Sequence, residues 1–224
     1  MLVHLSKALS EMEIFMAGKI RVKICGLRSV EEVEAAVNAG ADALGFVFYE
    51  KSKRFIAPEQ AQDLLQKVAP FVQTVGLFVN PDADFVSEVL RICPLDLLQF
   101  HGDEKADFCH SFGRKWIKSV PMRNFQSQEE TADYCALYPD AAGLLFDAYG
   151  DKVMGGSGEV FNWKNIPQIE QAVILAGGLN PENVAEAIAQ VKPYAVDVSS
   201  GVERNGRKCP DKIARFIEKL RAAQ

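Results

Sequence analysis

Residues 20–40 read IRVKICGLRSVEEVEAAVNAG. Residues 20–24 form a short, β-branched apolar run that ends at Cys25-Gly26, the pattern of a strand covered on both faces. From residue 30 to residue 39 the apolar positions repeat with helical spacing, and Gly40 stops them. Ser29 precedes that run and caps its free N–H groups, with Glu32 three positions on to complete a capping box. The stretch is one strand followed by one helix.

The same unit recurs along the chain. Strands are expected over residues 44–48, 74–79, 95–100, 116–120, 143–146, 172–175 and 194–198. Helices follow from Pro58, after Asn80-Pro81, over residues 103–111 and 128–137, near Trp163, after Asn180-Pro181, and over residues 209–220. Successive strand ends fall roughly 20–32 residues apart, which suits a strand, a crossover helix and two loops. Eight such units in about 200 residues fit a single-domain α/β fold, the (βα)8 TIM barrel, better than an open doubly wound sheet. The barrel is assigned to residues 20–224, and residues 1–19 are read as an N-terminal extension: a start-site artefact, a disordered segment or a short helical arm.

Composition narrows the function classes. Of 224 residues, 48% are hydrophobic and 25% charged, enough apolar mass for one large core. Net charge is -5 with no long basic tract, so nucleic acid is not an expected partner. No apolar run reaches the ~18–20 residues of a membrane span. Five scattered cysteines without a CxxC argue against a disulfide framework or a zinc site and favour a reducing, cytoplasmic setting. Three dispersed histidines and the absence of an HExxH make a metal site an unexpected feature.

In a barrel the chemistry gathers at the C-terminal ends of the strands. Cys25, Arg54, His101, Asp147, Gly177-Gly178 and Ser199-Ser200-Gly201 all fall there. The glycines and hydroxyls after the last two strands suit a phosphate held by backbone N–H groups, against the plainer reading of tight barrel turns. Gly156, within Gly155-Gly156-Ser157-Gly158 after the sixth strand, is a further candidate substrate contact. Cys25 as a thiolate is a competent base, where a buried structural cysteine is the commoner explanation. Asp147 with a retained proton is an acid able to protonate a sugar oxygen, where a solvent-facing loop acid or helix cap is the plain alternative. Arg54 suits a substrate carboxylate, or else belongs to a solvated basic run. His101 suits the orientation of a substrate or a carboxylate. Asp197, inside its strand, reads as part of a structural network.

Set in order, these pieces resemble a known family. Residues 22–27 (VKICGL), 52–55 (SKRF), 75–80 (VGLFVN), 99–102 (QFHG), 144–147 (LLFD), 155–158 (GGSG), 177–181 (GGLNP) and 196–203 (VDVSSGVE) are similar to phosphoribosylanthranilate isomerase of tryptophan biosynthesis. The resemblance covers about residues 20–220. It implies Cys25 as general base, Asp147 as general acid, Arg54 at the anthranilate carboxylate and the last two loops at the phosphate. It further implies N-(5-phosphoribosyl)anthranilate as substrate and no cofactor. Lys53, Phe100 and Asn162 depart from the proline, leucine and aspartate the family often carries at those places. Another phosphosugar isomerase or epimerase, or a non-catalytic phosphosugar-binding barrel, stands as the alternative, and monomer and homodimer are both open.

Overall fold

The computed structural model describes residues 18–149 and 161–224. Eight parallel strands close on one another in chain order. They are β1 (Arg21–Cys25), β2 (Ala43–Val47), β3 (Gln73–Phe78), β4 (Leu97–Phe100), β5 (Lys115–Pro121), β6 (Gly143–Asp147), β7 (Ala172–Leu175) and β8 (Ala195–Val198). The helices outside them are α1 (Val30–Asn38), α2 (Pro58–Leu65), α3 (Ala83–Ile92), α4 (Ala106–His110), α5 (Gln128–Cys135), α6 (Val184–Val191) and α7 (Pro210–Ala222). Pairing of Val22 with Val196 and of Lys23 with Asp197 joins β1 to β8, so the sheet is closed and not open. Most of the 1–19 extension and the Gly155–Gly158 stretch with Gly156 lie outside the described residues.

Two local expectations change. In place of a helix near Trp163 the described residues hold a single 3-10 turn, Trp163–Asn165. The Asn162 side chain takes the Lys164 N–H, and Pro167 forces Ile166 into extended backbone, so the turn cannot propagate. At α1, Ser29 Oγ accepts the Glu32 N–H at 3.4 Å as expected. The Glu32 carboxylate reaches past Ser29, however, to the N–H of Arg28 at 2.6 Å and of Lys208 at 3.1 Å. That carboxylate therefore ties the end of the chain to its first helix.

Strand alternation sorts the side chains. Val22, Ile24, Phe46, Phe100, Leu144, Phe146 and Val196 turn outward and pack beneath the helices. Val75, Leu97, Ile117, Leu145, Ile174 and Ala195 fill the barrel. Each large apolar side chain so buried contributes about 1.5–3 kcal/mol. Above that filling the inner face changes character. Cys25, Val47 and Leu77 form a small cluster at the C-terminal rim, and beside it the inward positions Gln99, Ser119 and Asp197 are polar and buried. Among the described residues no helix is long and apolar enough to cross a membrane.

Candidate active site

Cys25 and Asp147 are the last residues of β1 and β6 and follow the inward positions Lys23 and Leu145, so both point into the barrel mouth. Burial pushes the Cys25 thiol up, and the Lys23 ammonium pulls it back. Burial, reinforced by the Asp197 carboxylate, pushes Asp147 up to about 7. A carboxyl that keeps its proton near neutrality is able to donate it.

His101 extends the inward row of β4 beyond Gln99. Its Nδ1 lies 3.1 Å from Gln99 Nε2 and 2.5 Å from Ser119 Oγ. Its Nε2 faces Asp147 Oδ2 at 3.6 Å. The ring stacks on Tyr149 with centroids 4.3 Å apart. Burial, then the Lys118 and Lys23 charges, holds His101 down to about 3, so it is neutral. A buried ion pair on the outer side of the strands fixes the loop that carries it. Lys118 Nζ lies 3.3 Å from Glu104 Oε2 and donates to the Gly102 carbonyl, while Glu104 accepts the N–H groups of Asn80 and Gly102.

Arg54 stands on the loop after β2, where its charge reaches both Cys25 and Asp147. One edge of the guanidinium is taken: Nε and Nη2 donate to the two Glu203 oxygens at 2.6 and 2.9 Å. Burial alone would raise Glu203, but Arg54 and Lys208 outweigh it and hold the carboxyl down at about 2. The Nη1/Nη2 edge of Arg54 keeps its donors for another carboxylate.

The loops after β7 and β8 meet Asp147 directly. Asp147, Gly177, Gly178, Asp197, Ser199 and Ser200 line one pocket. Gly177 has φ +76, and a side-chain carbon there would strike the Ala148 backbone nitrogen and stand 2.9 Å from Asp147 Oδ1. Gly201 abuts the Leu179 carbonyl oxygen so closely that no side chain fits. Ser199 Oγ donates to the Cys25 carbonyl at 2.9 Å and accepts from Lys208 Nζ at 3.1 Å. Its proton is thus committed to β1, which leaves loop N–H groups and Ser200 to meet an anion.

The structure therefore brings Cys25, Arg54, His101, Asp147, Gly177, Gly178, Ser199, Ser200 and Gly201 to one mouth. Reading the sequence missed Lys23, Gln99, Ser119, Tyr149, Glu203 and Lys208. For Lys23 the signal was present: it shares the period-2 face of Cys25, opposite Val22 and Ile24.

Comparison with known proteins adds the relationships. Residues 22–219 match the family described as N-(5'phosphoribosyl)anthranilate (PRA) isomerase. The N-(5'-phosphoribosyl)anthranilate isomerase of Thiobacillus denitrificans is 53% identical over 206 residues, 91% of this chain and 99% of that one. The enzyme of the same name from Pseudomonas fluorescens is 50% identical over 204 residues, 90% and 98% of the two chains. The crystal structure of phosphoribosyl anthranilate isomerase from Thermotoga maritima superposes with TM-score 0.79 at 37% identity, covering 91% of this chain and 99% of that one. A phosphoribosyl anthranilate isomerase in complex with reduced 1-(o-carboxyphenylamino)-1-deoxyribulose 5-phosphate gives TM-score 0.76 at 36% identity, with the same coverage.

Proposed function

The chain belongs to the N-(5'-phosphoribosyl)anthranilate isomerase family, and on that footing we propose that Cys25 is the general base and Asp147 the general acid of its reaction. The reaction is the Amadori rearrangement of N-(5-phosphoribosyl)anthranilate to 1-(2-carboxyphenylamino)-1-deoxyribulose 5-phosphate, an aldose–ketose isomerisation. Asp147 gives its proton to the furanose ring oxygen, and the ring opens to a protonated Schiff base. Cys25 takes the proton from sugar C2, and the electrons move onto the iminium nitrogen. The enolamine then tautomerises to the ketose. One proton leaves Asp147 and one arrives on Cys25, so the couple resets by moving a single proton back.

The substrate carboxylate meets the Nη1/Nη2 edge of Arg54, with Glu203 holding the opposite edge. The phosphate lies between Gly177-Gly178 and Ser199-Ser200-Gly201, with Gly156 assigned to the same ligand. His101, fixed by Gln99 and Ser119, orients Asp147. The observation that carries this reading is the shared pocket: Asp147 and both glycine-serine loops line it, and Ser199 is bonded to the Cys25 carbonyl. Five free, buried cysteines support a reducing, cytoplasmic setting.

The test is conversion of freshly prepared N-(5-phosphoribosyl)anthranilate by wild type, Cys25→Ala and Asp147→Asn. General acid and base roles are each worth roughly 10²–10⁴-fold, so each variant loses at least about a hundredfold in kcat while staying folded. Full activity in either folded variant removes that residue from its role.

A further inference from the structure

Beneath the couple lies an ion pair that none of these steps uses. Lys23 Nζ donates to Asp197 Oδ1 at 2.9 Å, and the two side chains are only 6% and 9% exposed. They are register partners on β1 and β8. A carbon built onto Gly45 would stand 2.8 Å from Cys25 Sγ and 3.0 Å from Lys23 Cε, so the thiol and the end of the lysine share one small space. Asp197 lines the pocket together with Asp147. The pair is therefore oriented, cation beside the base and anion beside the acid. A buried ion pair is often no more stabilising than apolar side chains of equal volume, so stability is a weak reason to keep one inside an apolar barrel.

We infer that Lys23 and Asp197 are positioning residues of the acid–base couple: Lys23 favours the thiolate of Cys25, and Asp197 keeps the proton on Asp147. This rests on the base and acid roles proposed above. The direct effects outrank the crossed ones: Lys23 acts on Cys25 more strongly than Asp197 does, and Asp197 on Asp147 more strongly than Lys23. The consequence is chemical. With Asp147 near 7 and Cys25 raised, a couple holding one proton sits mainly as carboxylate plus thiol, whereas the reaction needs acid plus thiolate. The ion pair shifts that balance toward the productive form from both ends. The other charges facing Cys25 are Lys208 and Arg54 from neighbouring loops, each offset by Glu203, and Asp147 itself; β2 presents only Gly45 and Val47.

The test is the pH dependence of Cys25 alkylation by iodoacetamide, followed on its own peptide by mass spectrometry so that the other cysteines do not intrude. Two variants separate charge from structure. Lys23→Met/Asp197→Asn removes both charges and is expected to raise the alkylation midpoint by about one pH unit or more. Asp197→Asn alone leaves Lys23 uncompensated and is expected to lower it by a similar amount. A structural role would move the two variants alike or not at all. Midpoints that stay put, or move in the same direction, in folded protein overturn the inference. Should the double variant not fold, a midpoint in Asp197→Asn that stays or rises does the same. Alkylation reads the thiol whether or not Cys25 is the base, so an active Cys25→Ala enzyme would sink the base role separately.

Discussion

Asp147 and Cys25 titrate as a couple whose proton count decides activity. It holds two protons below about pH 7, one above that, and none beyond the raised Cys25 value. The productive form carries one proton, so its fraction is constant between those limits. The expected kcat/KM profile falls as pH drops through about 7 and is flat on the alkaline side until Cys25 ionises. Steady-state kinetics across pH check this, and an acid limb near the ordinary carboxylate range would contradict it. Both residues were legible because each ends an apolar run. Lys23 was not, although alternation carried its position, because a lysine among apolar strand residues ordinarily faces water. Glu203 gave no signal as the partner of Arg54, since 149 residues separate them and only closure of the barrel brings them together.

At the scale of elements, the loops after β7 and β8 work as one unit because Gly201 lies against the Leu179 carbonyl. Gly201→Ala forces them apart and loosens the pocket between Gly178 and Ser200 without touching Cys25 or Asp147. Steady-state kinetics should show KM raised about tenfold or more with kcat nearly unchanged, the pattern of lost uniform binding. A fall in kcat at unchanged KM would place the loop in the chemical step instead. The strands were legible to within about two residues because buried parallel strands announce themselves as short apolar runs. The helix expected near Trp163 failed for a local reason, as Asn162 and Pro167 stop the turn from both sides. The capping acid Glu32 was legible as a cap, but its bond to Lys208 spans 176 residues and was not.

At the scale of the whole molecule, the period of strand and helix foretold the barrel, while the partners facing across its mouth follow only from the β1–β8 closure. That mouth is held at a cost in stability. Asp147 has a folded pKa raised to about 7, so its contribution is fully present below the ordinary carboxylate value and is lost as pH rises through about 7. Asp147→Asn has no such loss. Its melting temperature should exceed that of wild type by a margin that grows from about pH 5 to about pH 8, at ~2–4 °C per kcal/mol for a chain of this size. Thermal melts across pH check the trend, and a constant margin contradicts it; folded His101 stays neutral over this range in both proteins, so its contribution cancels from the comparison. The division of labour between Cys25 and Asp147 is tested most directly by the kinetic isotope effect on kcat/KM for substrate deuterated at sugar C2. The account predicts opposite movements from wild type: a larger effect in Cys25→Ser, where proton removal from C2 limits the rate, and one shrinking toward unity in Asp147→Asn, where ring opening does. The reverse pattern, or an effect unchanged in both variants, would contradict it.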